Sequence, residues 1–127
     1  MLSESGPNRV LIVDDEVTVA NSLQDIFSTA GYDARSVYSA EQACEAVANW
    51  VPDLAIIDVV LPRMNGIDLA ISLRQHFPGC RFMLFSGAMD TGDILAAALA
   101  NGHTFDLLAK PVHPLELLRW ATAPGAA

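Results

Sequence analysis

The chain has 127 residues, with 15 Asp and Glu against 7 Lys and Arg, a formal net charge of -8, 52% hydrophobic residues and 17% charged ones. That length suits one domain hiding roughly two-thirds of its unfolded surface, with no room for a separate output domain, and the composition excludes disorder, a disulfide-stapled miniprotein and a collagen-like fibre. The negative charge opposes a phosphate backbone, so no direct nucleic-acid binding is expected.

Residues 1–8 read as a flexible polar leader, with neither the basic patch nor the apolar core of a signal peptide. Val10-Leu11-Ile12-Val13 is the first short apolar run. Ala20, Leu23, Phe27 and Ala30 then step by three or four along an amphipathic helix, and Gly31 stands where a left-handed cap is expected. Asp33 to Val37 is a weaker strand. Ser39 and Gln42 form a capping box opening a second helix whose apolar face is Ala40, Ala43, Cys44, Val47 and Ala48. A third strand, Leu54-Ala55-Ile56-Ile57, precedes a helix from about Ile67 to Phe77, and Phe82-Met83-Leu84-Phe85 a helix from about Asp90 to Asn101. Phe105 to Ala109 is the last strand. A helix from Pro114 to about Trp120 follows, its proline in the first turn where no hydrogen bond is lost. The domain is expected over residues 9–121, with a flexible tail at 122–127. The uncharged apolar stretch Ile94 to Ala100 is far short of the roughly 20 residues of a membrane span, so a cytoplasmic protein with no membrane contact is expected. Cys44 and Cys80 belong to no paired motif and should be reduced, small buried hydrophobes.

The main runs lack the polar alternation of half-exposed strands, which suits parallel strands buried on both faces. Five strand-helix units predict an α/β fold, a doubly wound parallel sheet with helices on each side. Ligands of such sheets gather at the carboxyl ends of the strands. Asp14 and Asp15 follow the first strand, Asp58 the third, Ser86 the fourth and Lys110 the fifth. One Asp after a strand is a common turn or N-cap residue; the set is harder to dismiss. If strands one and three are neighbours, about 4.8 Å apart, Asp14, Asp15 and Asp58 share one small volume. Carboxylates that close repel unless a cation is supplied, and an all-oxygen set with no nearby His or Cys favours Mg²⁺ over zinc. Lys110, the only lysine, could reach across from the fifth strand as a compact charge.

Val10 to Glu16, Asp58 to Gly66 with its Leu61-Pro62-Arg63-Met64-Asn65 core, Phe85-Ser86-Gly87 and Lys110-Pro111 together resemble the receiver domain of bacterial two-component response regulators, over about Arg9 to Trp120. The resemblance implies a flavodoxin-like five-stranded sheet in the order 2-1-3-4-5. It implies that Asp58 is the nucleophile taking a phosphoryl group from a sensor histidine kinase or histidine phosphotransfer protein. It further implies that Asp15, Asp58 and the Val60 carbonyl bind Mg²⁺ directly and Asp14 through water. Lys110 and Ser86 would hold phosphoryl oxygens, with Gly87 leaving space beside them. A protein target, or a second copy in a homodimer, would read the switch on the surface of the fourth helix, fifth strand and fifth helix, which here includes the Ala-rich stretch and Trp120.

Three positions depart from the family. Leu107 stands where the family usually has an aromatic switch residue, with Phe105 two residues earlier on the same face of a regular strand. Val60 and Ala88 are apolar where polar side chains often orient the hydrolytic water, so slow self-dephosphorylation is expected of a phosphoacceptor that is otherwise no enzyme. Of the competing readings, a flavodoxin would not place Asp14-Asp15-Glu16 at its phosphate loop, and a haloacid-dehalogenase-type hydrolase wants an Asp where Val60 stands. A receiver-like adaptor that never takes phosphate has no use for a costly acidic cluster.

Overall fold

The computed structural model describes residues 8–86, 96, 102, 105–109 and 113–122. In chain order the elements are β1 (Arg9–Val13), α1 (Val17–Thr29), β2 (Asp33–Val37), α2 (Ala40–Val47), β3 (Leu54–Asp58), α3 (Gly66–His76), β4 (Arg81–Ser86), β5 (Asp106–Ala109) and α4 (Pro114–Thr122). The strands form one parallel sheet in the order β2-β1-β3-β4-β5, as the resemblance implied.

Continuous apolar runs make these strands because both faces are covered. Leu11, Val13, Ala55, Ile57, Phe82 and Leu84 point to one side, where Ala40, Ala43, Leu69 and Leu73 of α2 and α3 close over them. Val10, Ile12, Leu54, Ile56, Met83 and Phe85 point to the other, against Ala20, Leu23 and Phe27 of α1 and Leu117 of α4. Alternation along each strand thus splits one apolar sequence into two cores, each fully buried Val, Leu, Ile, Phe or Met side chain contributing about 1.5–3 kcal/mol.

The helix ends follow the predicted signals. Ser39 Oγ accepts from the Gln42 N–H at 3.1 Å, while Gln42 reaches back to accept from the Tyr38 N–H at 2.8 Å, a reciprocal cap shifted by one residue. Gly31 adopts φ 101°, and the Tyr32 N–H closes on the Phe27 carbonyl at 3.0 Å. His113 precedes α4 and its carbonyl accepts from the Glu116 and Leu117 N–H groups, with Pro114 as the first helical residue.

Two expectations need correction. Cys80 is buried, but Cys44 is exposed. α2 is only eight residues long and meets the sheet through Ala40 and Ala43, so Cys44, about 100° around the axis from Ala43, faces outward. Ala30 also leaves the apolar face of α1, because the helix ends there. The helix expected from Asp90 to Asn101 lies outside the described residues except for Ala96, which is helical. Among the described residues no helix is long and apolar enough to cross a membrane.

Candidate functional site at the carboxyl edge

Strand order reverses between β1 and β3, and there the sheet carries its buried charge. Val13 pairs with Ile57, so Asp14 and Asp58 are the next residues along two adjacent strands. The ladder on either side holds them: the Asp14 N–H donates to the Val37 carbonyl at 3.1 Å and the Val59 N–H to the Phe85 carbonyl at 3.0 Å. Asp14 is 0% and Asp58 4% exposed, and they are the only buried polar or charged side chains among the described residues. A fold that buries two carboxylates side by side incurs both desolvation and mutual repulsion, so the site is built for positive charge.

Backbone donors fix the two side chains. Asp58 Oδ1 accepts from the Val60 N–H at 3.0 Å, and Asp14 Oδ1 accepts from the Glu16 N–H at 2.9 Å. Each is a short loop back from a residue two further on, the turn chemistry for which Asp is suited. After Asp58 the chain bends through Val59–Asn65, where Arg63 takes φ 66° and pairs with Glu41 at 3.2 Å on the surface. Asn65 then opens α3 by accepting from the Asp68 N–H at 2.8 Å.

Asp14, Glu16 and Asp58 each bring one carboxylate oxygen to within 4.8 Å of the other two. Of the predicted set, Asp14 and Asp58 therefore converge, whereas exposed Asp15 stands outside the group and Glu16 takes the third place. The missed residue was legible as the last acid of Asp14-Asp15-Glu16, though nothing in the spacing assigns it a role. The donor set fits magnesium. Ligand oxygens about 2.0–2.1 Å from one Mg²⁺ are separated by at most about 4.2 Å, which a small rotation of a carboxylate supplies.

Val60 is 54% exposed beside the pair. Ser86 ends β4 opposite Ala109, one step beyond the Phe85 that pairs with Asp58. Gly87, Ala88 and Lys110 lie outside the described residues. The two switch candidates part company. Phe105 precedes β5 and packs on the α3 side, its ring 6.2 Å from Phe82 and under the Arg74 guanidinium at 4.2 Å. Leu107 is in β5 and 44% exposed. Trp120, expected on the docking surface, donates from Nε1 to Asp106 at 2.7 Å and carries the Arg81 guanidinium 4.6 Å over its ring, which ties it to the starts of β4 and β5.

A doubly wound five-stranded sheet in the order 2-1-3-4-5 with buried acids at its switch point is the flavodoxin-like architecture of receiver domains. The chain belongs to the response regulator receiver domain family, which matches it over residues 10–122 and places it among the modules of two-component systems. It is 34% identical over 110 residues to the DNA-binding response regulator MtrA of Mycobacterium tuberculosis H37Rv, covering 87% of this chain and 47% of that protein. To the Regulator of RpoS of Escherichia coli K12 it is 36% identical over 113 residues, covering 87% and 32%. The chain thus spans about half the length of the first relative and a third of the second. Among solved structures it is similar to a CheY-like response regulator receiver domain protein from Methanospirillum hungatei JF-1, with a TM-score of 0.81, 27% identity and 91% of each chain covered. The signal receiver domain of an HD domain-containing protein from Pseudomonas fluorescens Pf-5 gives a TM-score of 0.82 at 28% identity, covering 95% of this chain and 88% of that one. MtrA is described as DNA-binding, so these relatives give no support to the expectation that nucleic acid plays no part.

Proposed function

We propose that the chain accepts a phosphoryl group on Asp58 from the phosphohistidine of a sensor kinase or phosphotransfer protein and signals to a protein partner by the resulting change of shape. The observation that supports this reading is the pairing of two buried carboxylates, Asp14 and Asp58, at the strand-order reversal. In the transfer, an Asp58 carboxylate oxygen bonds to phosphorus as the phosphorus–nitrogen bond of the donor breaks. The imidazole nitrogen keeps the bonding pair, and because the other ring nitrogen of the phosphohistidine carries a proton, the donor leaves as neutral imidazole.

The protein's part is positioning and electrostatics, because the transferring group passes through a loose transition state with its charge spread over oxygen. The Val60 N–H fixes the plane of the Asp58 carboxylate, and the ladder to β4 fixes its height at the sheet edge. Asp14 and Asp58 would hold Mg²⁺, which when bound offsets the carboxylate charge and that of the incoming oxygens. Lys110 would pair with a phosphoryl oxygen and Ser86 hydrogen-bond another, with Gly87 leaving room. Once made, the phosphoaspartate carries about two negative charges where the carboxylate carried one, with three strong acceptor oxygens besides, and these bias a two-state surface.

Incubation with acetyl phosphate and Mg²⁺, followed by intact mass measurement, tests the reading. The native chain should gain one phosphoryl group and Asp58→Asn none. Equal modification of both, or of neither, refutes it.

A further inference from the structure

We infer that Tyr38 and Asn21 are positioning residues for Asp14: the hydrogen bond between their side chains holds the open edge of the sheet on which Asp14 depends. Their role presupposes the proposed Mg²⁺-dependent phosphoacceptor and lies in a polar clamp between α1 and β2, outside the acidic group itself.

The two buried carboxylates are not equally supported. Val59, next to Asp58, donates its N–H to Phe85 of β4, a strand flanked on both sides. The Asp14 N–H donates to the Val37 carbonyl at 3.1 Å, at the end of β2, the outermost strand, which among the described residues has no strand on its far side. The outward N–H and C=O groups of such a strand lack ladder partners, and strand ends open most easily. Side chains of α1 take the place of the absent strand. Asp33 and Val37 turn their main chain to β1, so Ser36 turns outward; its N–H donates to Gln24 Oε1 at 2.9 Å and its hydroxyl to the same oxygen at 2.6 Å. Nearer the site, Tyr38 is tied at both ends. Its N–H donates to Gln42 Oε1 of α2 at 2.8 Å and its hydroxyl to Asn21 Oδ1 of α1 at 2.7 Å, while its half-buried ring packs against the core on the α1 side. Tyr38 directly follows Val37, and α1 is entered from Glu16, whose N–H holds Asp14 Oδ1 at 2.9 Å. The bond between Tyr38 and Asn21 therefore closes a loop from Asp14 through β2 to α1 and back, which refers its main chain and its carboxylate to one frame.

Amide hydrogen exchange of the metal-free chain, followed by NMR, and isothermal titration with MgCl₂ test the assignment in the native protein, Tyr38→Phe, Asn21→Ala, the double variant and Asp33→Ala. The last removes the acceptor of the Trp50 indole N–H, 3.2 Å away at the far end of β2, and so weakens the same strand away from the site. A uniform loss of stability speeds all amides alike, so the ratio of Asp14 to Val59 exchange isolates the clamp. That ratio should rise about tenfold in Tyr38→Phe and Asn21→Ala, no further in the double variant, and stay within about twofold of native in Asp33→Ala. Mg²⁺ affinity should fall about fivefold in the three clamp variants and not in Asp33→Ala. An unchanged ratio or an unchanged affinity in Tyr38→Phe and Asn21→Ala, or equal changes in Asp33→Ala, overturns the positioning role. A native chain that binds Mg²⁺ but gains no phosphoryl group from acetyl phosphate overturns the proposed function and not the clamp, and one that binds no Mg²⁺ overturns both.

Discussion

Gly66 packs its α-carbon against the main chain of Asp58 so closely that no side chain fits between them. A β-carbon at 66 would collide with the Asp58 carbonyl oxygen, lie 2.8 Å from its carbonyl carbon and 2.9 Å from Ile57 Cγ2. The Gly66 N–H donates to the Val59 carbonyl at 2.7 Å, so α3 begins by bracing the turn after the proposed nucleophile. The obstacle is backbone, which cannot swing aside. Gly66→Ala should therefore destabilise by about 3 kcal/mol, the upper part of the range for overpacking, and reduce phosphorylation of Asp58 in whatever fraction stays folded. Urea unfolding within about 0.5 kcal/mol of native would show that the contact relaxes cheaply.

The cap of α3 acts on the same loop from the other side. Asn65 accepts from the Asp68 N–H at 2.8 Å and donates from Nδ2 to the Asp68 carboxylate at 3.0 Å. Asn65→Ala should cost about 1 kcal/mol in urea unfolding, and Asn65→Asp less, because an aspartate still accepts from the backbone. Equal losses in the two variants would argue that the Nδ2 contact with Asp68 matters more than the cap.

Phe105 and Leu107 were equivalent in sequence as stand-ins for an aromatic switch, and the structure separates them. Phe105 meets Phe82 edge to face and lies under Arg74, whereas Leu107 is exposed on β5. Phe105→Ala should cost about 2 kcal/mol, below the value for a fully buried ring, and Leu107→Ala less than about 0.5 kcal/mol. Arg74→Ala should cost about 0.5–1 kcal/mol, and a double-mutant cycle with Phe105→Ala should show coupling. Additive losses would mean that guanidinium and ring are mere neighbours.

The thiols should differ in reactivity. Burial, reinforced by the Asp53 carboxylate and opposed by Arg74, pushes the Cys80 thiol up from its ordinary value to about 12, while Cys44 is exposed. At pH 8 a disulfide reagent should label one thiol per folded chain and two after unfolding. The raised value has a sign for stability. Above about pH 9 the unfolded chain releases this proton while the folded chain keeps it, so Cys80 lowers stability progressively from about pH 9 towards 12 and has no effect below. Urea midpoints between pH 9 and 11 should fall less steeply for Cys80→Ala than for the native chain.

Two-sided burial was legible because parallel strands covered on both faces leave continuous apolar runs, as Val10–Val13 and Leu54–Ile57 do, whereas the strand order came only with the family resemblance. Caps were legible where one side chain does one job, as at Ser39 and Gly31. Rotation about a short helix was not, since Cys44 and Ala43 differ by one step and only packing decides which meets the sheet. At the site, strand ends located Asp14 and Asp58. Which of the two following exposed acids brings a carboxylate oxygen near that pair is not encoded by residue type.

Val60 bears on how long the proposed modification lasts. It is 54% exposed, two residues beyond Asp58, and its side chain has no polar group to orient water for in-line attack on an aspartyl phosphate. Positioning a hydrolytic water by a polar side chain is worth factors of ten or more in rate, so Val60→Asn should shorten the phosphoaspartate lifetime by about tenfold. The Val60 N–H that holds Asp58 Oδ1 is main chain and survives the change, so the rate of phosphorylation should stay within about twofold, as expected when positioning is unaltered. Following decay of the phosphorylated chain by intact mass, after removal of acetyl phosphate, separates the two rates. An unchanged lifetime would place control of hydrolysis elsewhere on the site, and a parallel change in phosphorylation rate would mean the side chain shapes the acceptor itself.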